Sequence, residues 1–274
     1  MELPISRMSD RRRSTLDTRS PMQLYSLDLN AAASSPLVLL HGLGANSQSW
    51  KLQIPYFTQA GYRLIIPDLR SFGQSPYPGH TSISEMAGDV RELLERLQIP
   101  RAHILGISLG GTVALQFALD NPQRVNKLVL VNTFAHLRPR NLGVWMYMLW
   151  RLILVHTIGL ERQGRVVAQR VFPHPGQETF RRELLEQIRQ ADPRGYRATM
   201  RALGRFNVQA RLGEIRCPTL VLTSEKDTTV PVESQRALVQ GIAGGRQILF
   251  PHGGHALSVD QAEAFNTAVA GFLA

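Results

Sequence analysis

Ala102-His103-Ile104-Leu105-Gly106-Ile107-Ser108-Leu109-Gly110-Gly111-Thr112-Val113 is the stretch that decides the fold. An apolar run enters Gly-x-Ser-x-Gly, and a helical pattern from Thr112 to Leu119 follows at once. Such a strand-to-helix turn strains the backbone at Ser108 and lifts its hydroxyl above the sheet. Side chains at Gly106 and Gly110 would collide across the turn, so glycines stand where sterics demand them. The start of the following helix favours negative charge nearby. Ser108 is therefore the candidate nucleophile.

Outward from this turn, short apolar runs recur at Leu37–Leu40, Arg63–Ile66, Lys127–Val131, Thr219–Leu222 and Gln247–Phe250. Runs without polar alternation mark strands covered on both faces. Ser84 to Leu97 places Met86, Val90, Leu93, Leu94 and Leu97 on one helical face. Alternating strand and helix predicts an α/β fold, a mostly parallel sheet flanked by helices. Met22 to Leu29 is expected as an antiparallel edge strand, and the short link from Leu29 to Pro36 as a trimmed hairpin. The alternation breaks between Ala135 and Leu212, where helical patterns such as Arg181–Gln190 and Tyr196–Leu203 predict an inserted helical cap. The expected organisation is a basic, disordered tail over 1–20, a core over 21–134 and 213–274, and the cap over 135–212. Trp145 to Trp150 suits a helix over the sheet or the wall of an apolar cavity.

A serine hydroxyl attacks only when a base takes its proton. His255, in Gly253-Gly254-His255-Ala256 beyond the last strand, is the best candidate, with His252 the nearest rival and the other histidines assigned structural roles. Asp227, directly beyond the Leu220–Leu222 run, is expected at the same sheet edge, accepting the second N–H of the imidazole and fixing its tautomer. Glu225 is the fallback. Asn132 holds the end of the preceding strand, where an acid could otherwise stand. The N–H groups of Leu43 and Leu109 are available as oxyanion donors. His41 reads as a turn-stabilising residue.

The chain has 274 residues, 43% hydrophobic and 19% charged, a balance suited to a packed core. The net charge of +10 raises nucleic acid as a partner. The arginines are scattered, with no fold-specific motif or interleaved aromatics, so no nucleic-acid partner is expected. Cys217 is the only cysteine, which excludes an intramolecular disulfide. Leu142 to Val155 is the longest apolar stretch; it contains Arg151 and falls short of the roughly 20 residues of a membrane span. No secretory signal is visible at the start, and a cytoplasmic location is expected.

His41-Gly42-Leu43-Gly44, Asp68-Leu69-Arg70-Ser71-Phe72-Gly73-Gln74-Ser75, Gly106-Ile107-Ser108-Leu109-Gly110-Gly111, Asp227 and Gly254-His255 follow one another in an order that resembles the α/β-hydrolase fold family, in its cap-bearing members. The resemblance runs from about Leu37 to the C-terminus. It implies Ser108 as nucleophile, Asp227 as acid, His255 as base, Leu43 and Leu109 as oxyanion-hole amides, and no metal or cofactor. Ser71 stands where the family usually has glycine, a departure expected to reshape the pocket entrance. Relatives that open epoxides or remove halogens use Asp at the position of Ser108, which disfavours both reactions. Ester or lactone hydrolysis through an acyl-enzyme is the expectation, with a small and partly apolar substrate. Carbon-carbon bond hydrolysis is the enzymatic alternative, and a non-catalytic ligand receptor the alternative of another class. Arg162, Arg165, Arg181 and Arg182 are candidates to meet a substrate carboxylate, with a solvated face as their default.

Overall fold

The computed structural model describes residues 22–136 and 159–274, together with Met146, Trp150 and Ile153. The expected tail and most of the Trp145–Trp150 segment lie outside the described residues. Met146, Trp150 and Ile153 are helical and about half exposed.

Among the described residues, seven strands form one sheet in the order β1-β3-β2-β4-β5-β6-β7. They are β1 Ser26–Leu29, β2 Ser35–Leu40, β3 Tyr62–Pro67, β4 Ala102–Ile107, β5 Val125–Val131, β6 Thr219–Ser224 and β7 Arg246–Phe250. Of these, β1 is antiparallel, pairing Ser26–Leu29 against Leu64–Pro67 at the sheet edge. The other neighbours are parallel. The alternating mostly parallel architecture matches the reading of the apolar runs, but the hairpin does not form. β1 lies beside β3 rather than β2, because the chain turns at Asn30, in the left-handed region at φ 57°, and Asn30 Nδ2 donates to the Tyr62 carbonyl at 3.1 Å. The turn is thereby anchored to the start of β3.

Successive strand residues point to opposite faces, so each central strand feeds two cores. Val38 and Leu40 join one cluster, with helices α2 (Ile83–Arg96) and α3 (Leu109–Asp120). Leu37 and Leu39 join the other, with Phe57 of α1 (Ile54–Gln59) on the far side of the sheet.

Between β5 and β6 the chain leaves the sheet and forms α4 Gly159–Val171, α5 Glu178–Gln190 and α6 Pro193–Arg205. The stem of this insert is closed where His136 pairs with Asn207 and Val208 N–H donates to the Ala135 carbonyl at 3.0 Å. Three further helices complete the chain: α7 Val232–Gly241, α8 Leu257–Asp260 and α9 Ala262–Leu273. Among the described residues no helix is long and apolar enough to cross a membrane.

β2 leads to β3 on one side, and β4 lies on its other side, so the crevice beyond β2 and β4 is the point where the winding reverses. Ligands of open parallel sheets bind beyond the carboxyl ends of the strands at such a point.

His103, on β4, is 8% exposed, and its Nδ1 has no hydrogen-bond partner. Burial, reinforced by the nearby Lys127 ammonium, pushes its pKa down to about 4. An unfolded chain binds that proton near 6.5, so this site's stability is present above that value and is lost as pH falls toward 4. The urea midpoint should therefore drop across this window. In His103→Leu that part of the drop should vanish, and an unchanged difference between pH 7 and pH 4.5 would count against it.

Candidate active site

Ser108 sits between β4 and α3 with φ 54° and ψ −113°, inside the left-handed region that L residues rarely adopt. Its N–H donates to the Val131 carbonyl at 3.0 Å, and its own carbonyl accepts from Thr133 Oγ1 at 2.7 Å and Thr112 N–H at 3.1 Å. The conformation is held from both sides. The collision expected across the turn is real: a Cβ at Gly106 would lie 2.2 Å from the Gly110 carbonyl oxygen. One at Gly110 would lie 2.1 Å from the Leu40 carbonyl oxygen. Helix α3 thus starts hard against the end of β2.

That contact also brings in the loop after β2. Gly42 faces Ser108 closely enough for a Cβ to stand 3.7 Å from the serine Cβ. His41 is fully buried; its Nδ1 donates to the Gly42 carbonyl at 2.8 Å and its Nε2 accepts from Leu69 N–H at 2.9 Å. Burial lowers its pKa, against the pull of that carbonyl and of Asp68. Both ring nitrogens are engaged in holding loops together, as its reading as a turn residue requires. Asp68 continues the tie, accepting from Ser47 N–H at 2.7 Å and Gln74 N–H at 2.8 Å. Leu43 lines the cavity above Ser108, and Leu109 opens α3, where first-turn N–H groups have no intrahelical acceptor.

Asp227 and His255 meet. His255 Nδ1 lies 3.0 Å from both Asp227 oxygens. The carboxylate side chain is fully covered and the imidazole is 10% exposed. Asp227 is itself fixed by Thr229 N–H at 2.7 Å and Val230 N–H at 2.9 Å on Oδ1. The rivals stand elsewhere: His252 and Glu225 are both exposed.

Asn132 does more than leave a place empty of acid. It is fully buried at φ 45° beyond β5. Its Nδ2 reaches the carbonyls of Gly254 and His255, each at 2.9 Å, and its Oδ1 accepts from Ser224 N–H at 3.0 Å. One amide side chain joins the end of β6 to the loop that carries His255. Sequence reasoning missed this function; the signal was a polar residue directly after the apolar run Leu128–Val131.

Ser108, Asp227 and His255 share the wall of one cavity of about 720 Å³. Leu43, Leu52, Ile107, Phe134 and Val230 line it from the core side. Val167, Phe172, Phe180, Leu184 and Leu203 line it from the insert. Two of the charged residues in the wall, Lys51 and Glu183, pair at 2.6 Å across the two halves. Arg162, Arg165, Arg181 and Arg182 do not line the cavity. Arg165 pairs with Glu161, and Arg181 pairs with Glu178 and donates to the carbonyls of Phe172 and His174. Arg170, which the sequence did not single out, does line it, donating to the Thr228 carbonyl beside Asp227. Met146 and Trp150 are not among the lining residues. Nor is Ser71, which is 2% exposed and accepts from Asp192 N–H at 3.0 Å through its carbonyl. It belongs to the seam with the insert rather than to the pocket entrance.

The model of the alpha/beta hydrolase family matches residues 37–268. The chain belongs to this family. A protein of Variovorax paradoxus strain S110 named "Putative carbamate hydrolase RutD" is 35% identical over 257 residues, 90% of this chain and 95% of that protein. A namesake from Stutzerimonas stutzeri is 33% identical, over 84% of this chain and 88% of that protein. The crystal structure of a hydrolase from Pseudomonas aeruginosa is similar with a TM-score of 0.83 at 29% identity, covering 91% of this chain and 94% of that one. An esterase of Exiguobacterium antarcticum, at 24% identity and a TM-score of 0.86, covers 92% of this chain and 96% of its own; it shares the fold.

Asn132→Ala should leave the Gly254 and His255 carbonyls without their donor, and each buried polar group so orphaned costs about 1–3 kcal/mol. A lower urea midpoint is expected, together with a fall in kcat that exceeds any change in KM. Wild-type stability and kcat would show the amide to be dispensable.

Proposed function

We propose that the protein is a serine hydrolase that cleaves a carboxylic ester or lactone through an acyl-enzyme, with residues 135–212 acting as a cap over the site. The contact that carries this reading is His255 Nδ1 at 3.0 Å from both oxygens of a covered Asp227, on the same cavity wall as Ser108. Asp227 holds the Nδ1–H tautomer, which leaves Nε2 as the base. His255 takes the proton of the Ser108 hydroxyl as its Oγ attacks the carbonyl carbon. The oxyanion is met by the N–H groups of Leu43 and Leu109. Collapse of the tetrahedral intermediate passes the proton from His255 to the leaving alcohol. Water then attacks the acyl-serine with His255 again as base, and the acid is released.

The size and lining of the cavity support this substrate class. About 720 Å³ with largely apolar walls is within the range for small-molecule ligands of roughly 300–1,000 Å³. It favours an ester or lactone with an apolar acyl or alcohol group. A second reading comes from the relatives named as carbamate hydrolases. A carbamate anion fills a small part of this space, and apolar walls do not replace the water it gives up.

With p-nitrophenyl esters, Ser108→Ala should lower kcat by at least ~10⁴-fold and Asp227→Asn by about 10³- to 10⁴-fold, each with the fold retained. Serine-independent turnover would sink the mechanism. Going from acetate to hexanoate, kcat/KM should rise about fourfold for each added methylene, since burying one contributes ~0.8 kcal/mol. A preference for the acetate, or ammonia release from carbamate outpacing ester cleavage, would favour the second reading.

A further inference from the structure

The loop that carries His255 is gripped a second time, from the side opposite in sequence. Helix α8 ends at Asp260, and its carboxylate folds back so that Oδ2 accepts from Gly254 N–H at 3.1 Å. The other oxygen, Oδ1, accepts from Gln177 Nε2 at 2.8 Å. Gln177 belongs to the insert, immediately before α5. Its amide cannot turn over freely, because its Oε1 already accepts from His174 N–H at 2.9 Å. The approach of the carboxylate also explains Gly254: a Cβ there would lie 2.6 Å from Asp260 Oδ2. Burial raises the Asp260 pKa, while hydrogen bonds from Gly254 and Gln177 and the neighbouring His174 and His255 pull it back.

We propose that Asp260 is a positioning residue, tying Gly254 in the His255 loop to Gln177 of the insert so that the seating of the insert and the placement of the imidazole are set together. This rests on His255 being the base. Asn132 holds the carbonyls of Gly254 and His255, and Asp260 holds the Gly254 N–H; Gly254, which leads into His255, is thus held through both its N–H and its carbonyl. A reacting group displaced by about 1 Å can lose ~10²-fold in rate, so a small slackening here reaches the chemistry.

The polarity of the tie supplies its test. Asp260 accepts twice and Gln177 must donate. Asp260→Asn turns an amide NH2 against one of the two donors, and Gln177→Glu sets carboxylate against carboxylate. In the double variant D260N/Q177E the direction reverses. The introduced amide accepts from Gly254 N–H through its oxygen and donates through its NH2 to the introduced carboxylate, whose other oxygen still accepts from His174 N–H. kcat and KM for p-nitrophenyl butyrate, with thermal midpoints, would be measured for wild type, both single variants and the double. Each single change should lower kcat about tenfold with a smaller effect on KM, and the double should return to within about threefold of wild type. Singles with wild-type kcat, or a double no faster than its slower parent, would overturn the proposal. If D260N does not fold, Gln177→Ala carries the test alone, and an unchanged kcat there overturns it equally. Full activity in His255→Ala would instead overturn the base assignment. An inactive His255→Ala beside an unimpaired D260N would overturn only the role of Asp260.

Discussion

Helix α3 can begin where it does only because Gly110 lets its backbone lie against the Leu40 carbonyl at the end of β2. That contact requires the chain to reverse within Gly106–Gly110, and the reversal forces Ser108 to φ 54°. A residue held there costs on the order of 1–3 kcal/mol, so the surroundings must over-determine it. They do: Val131, Thr133 and Thr112 hold both polar groups of the Ser108 backbone. The same close approach brings Gly42 and Leu43 beside the serine, so the proposed nucleophile and the proposed oxyanion donors come from one packing constraint rather than two.

Three adjacent strands then each place a polar side chain just beyond their ends: Ser108 after β4, Asn132 after β5 and Asp227 after β6. Their identities follow from what faces them. The place beyond β5 looks onto two carbonyls of the His255 loop, and carbonyls need a donor. A carboxylate there would set lone pairs against lone pairs, whereas the amide of Asn132 donates to that loop and accepts from Ser224 N–H. The carboxylate that meets His255 stands one strand further, where Thr229 and Val230 offer N–H groups and His255 Nδ1 offers a proton.

Much of this was legible because the signals were local. Continuous apolar runs gave the strands, glycines at fixed offsets gave the turn at Ser108, and the Gly-Gly pair before His255 marked a loop without bulk. The hairpin between β1 and β2 was misjudged because loop length says nothing of which strand comes between; Asn30 bonding to Tyr62 decided that. The arginines of the insert were ambiguous for a related reason. Helical spacing shows that Arg165 can meet Glu161, but not which face turns to the cavity, and Arg170 is set apart only by its neighbour Thr228, 58 residues away. Asp260 and Gln177, 83 positions apart, carried no pattern at all. Paired side chains that are distant in the chain are visible only once the fold has joined them.

The seam between insert and core has a character of its own. Polar ties cross it, Lys51 with Glu183, Asn46 with Gln190, the Ser71 carbonyl with Asp192 N–H, Arg170 with Thr228 and Gln177 with Asp260, and so does apolar packing, with Tyr196 edge-on to Phe72 at 6.3 Å between ring centroids and Ile188 beside Gly44. The space they enclose is walled mainly by apolar side chains. Exposed ion pairs such as Lys51–Glu183 contribute about 0–1 kcal/mol each, so such pairs fix where the insert sits, while burial of side chains such as Ile188 and Tyr196 against the core holds it there. Apolar packing therefore seats the insert on the core, and the polar contacts set the register of the two halves around the cavity that Ser108 lines.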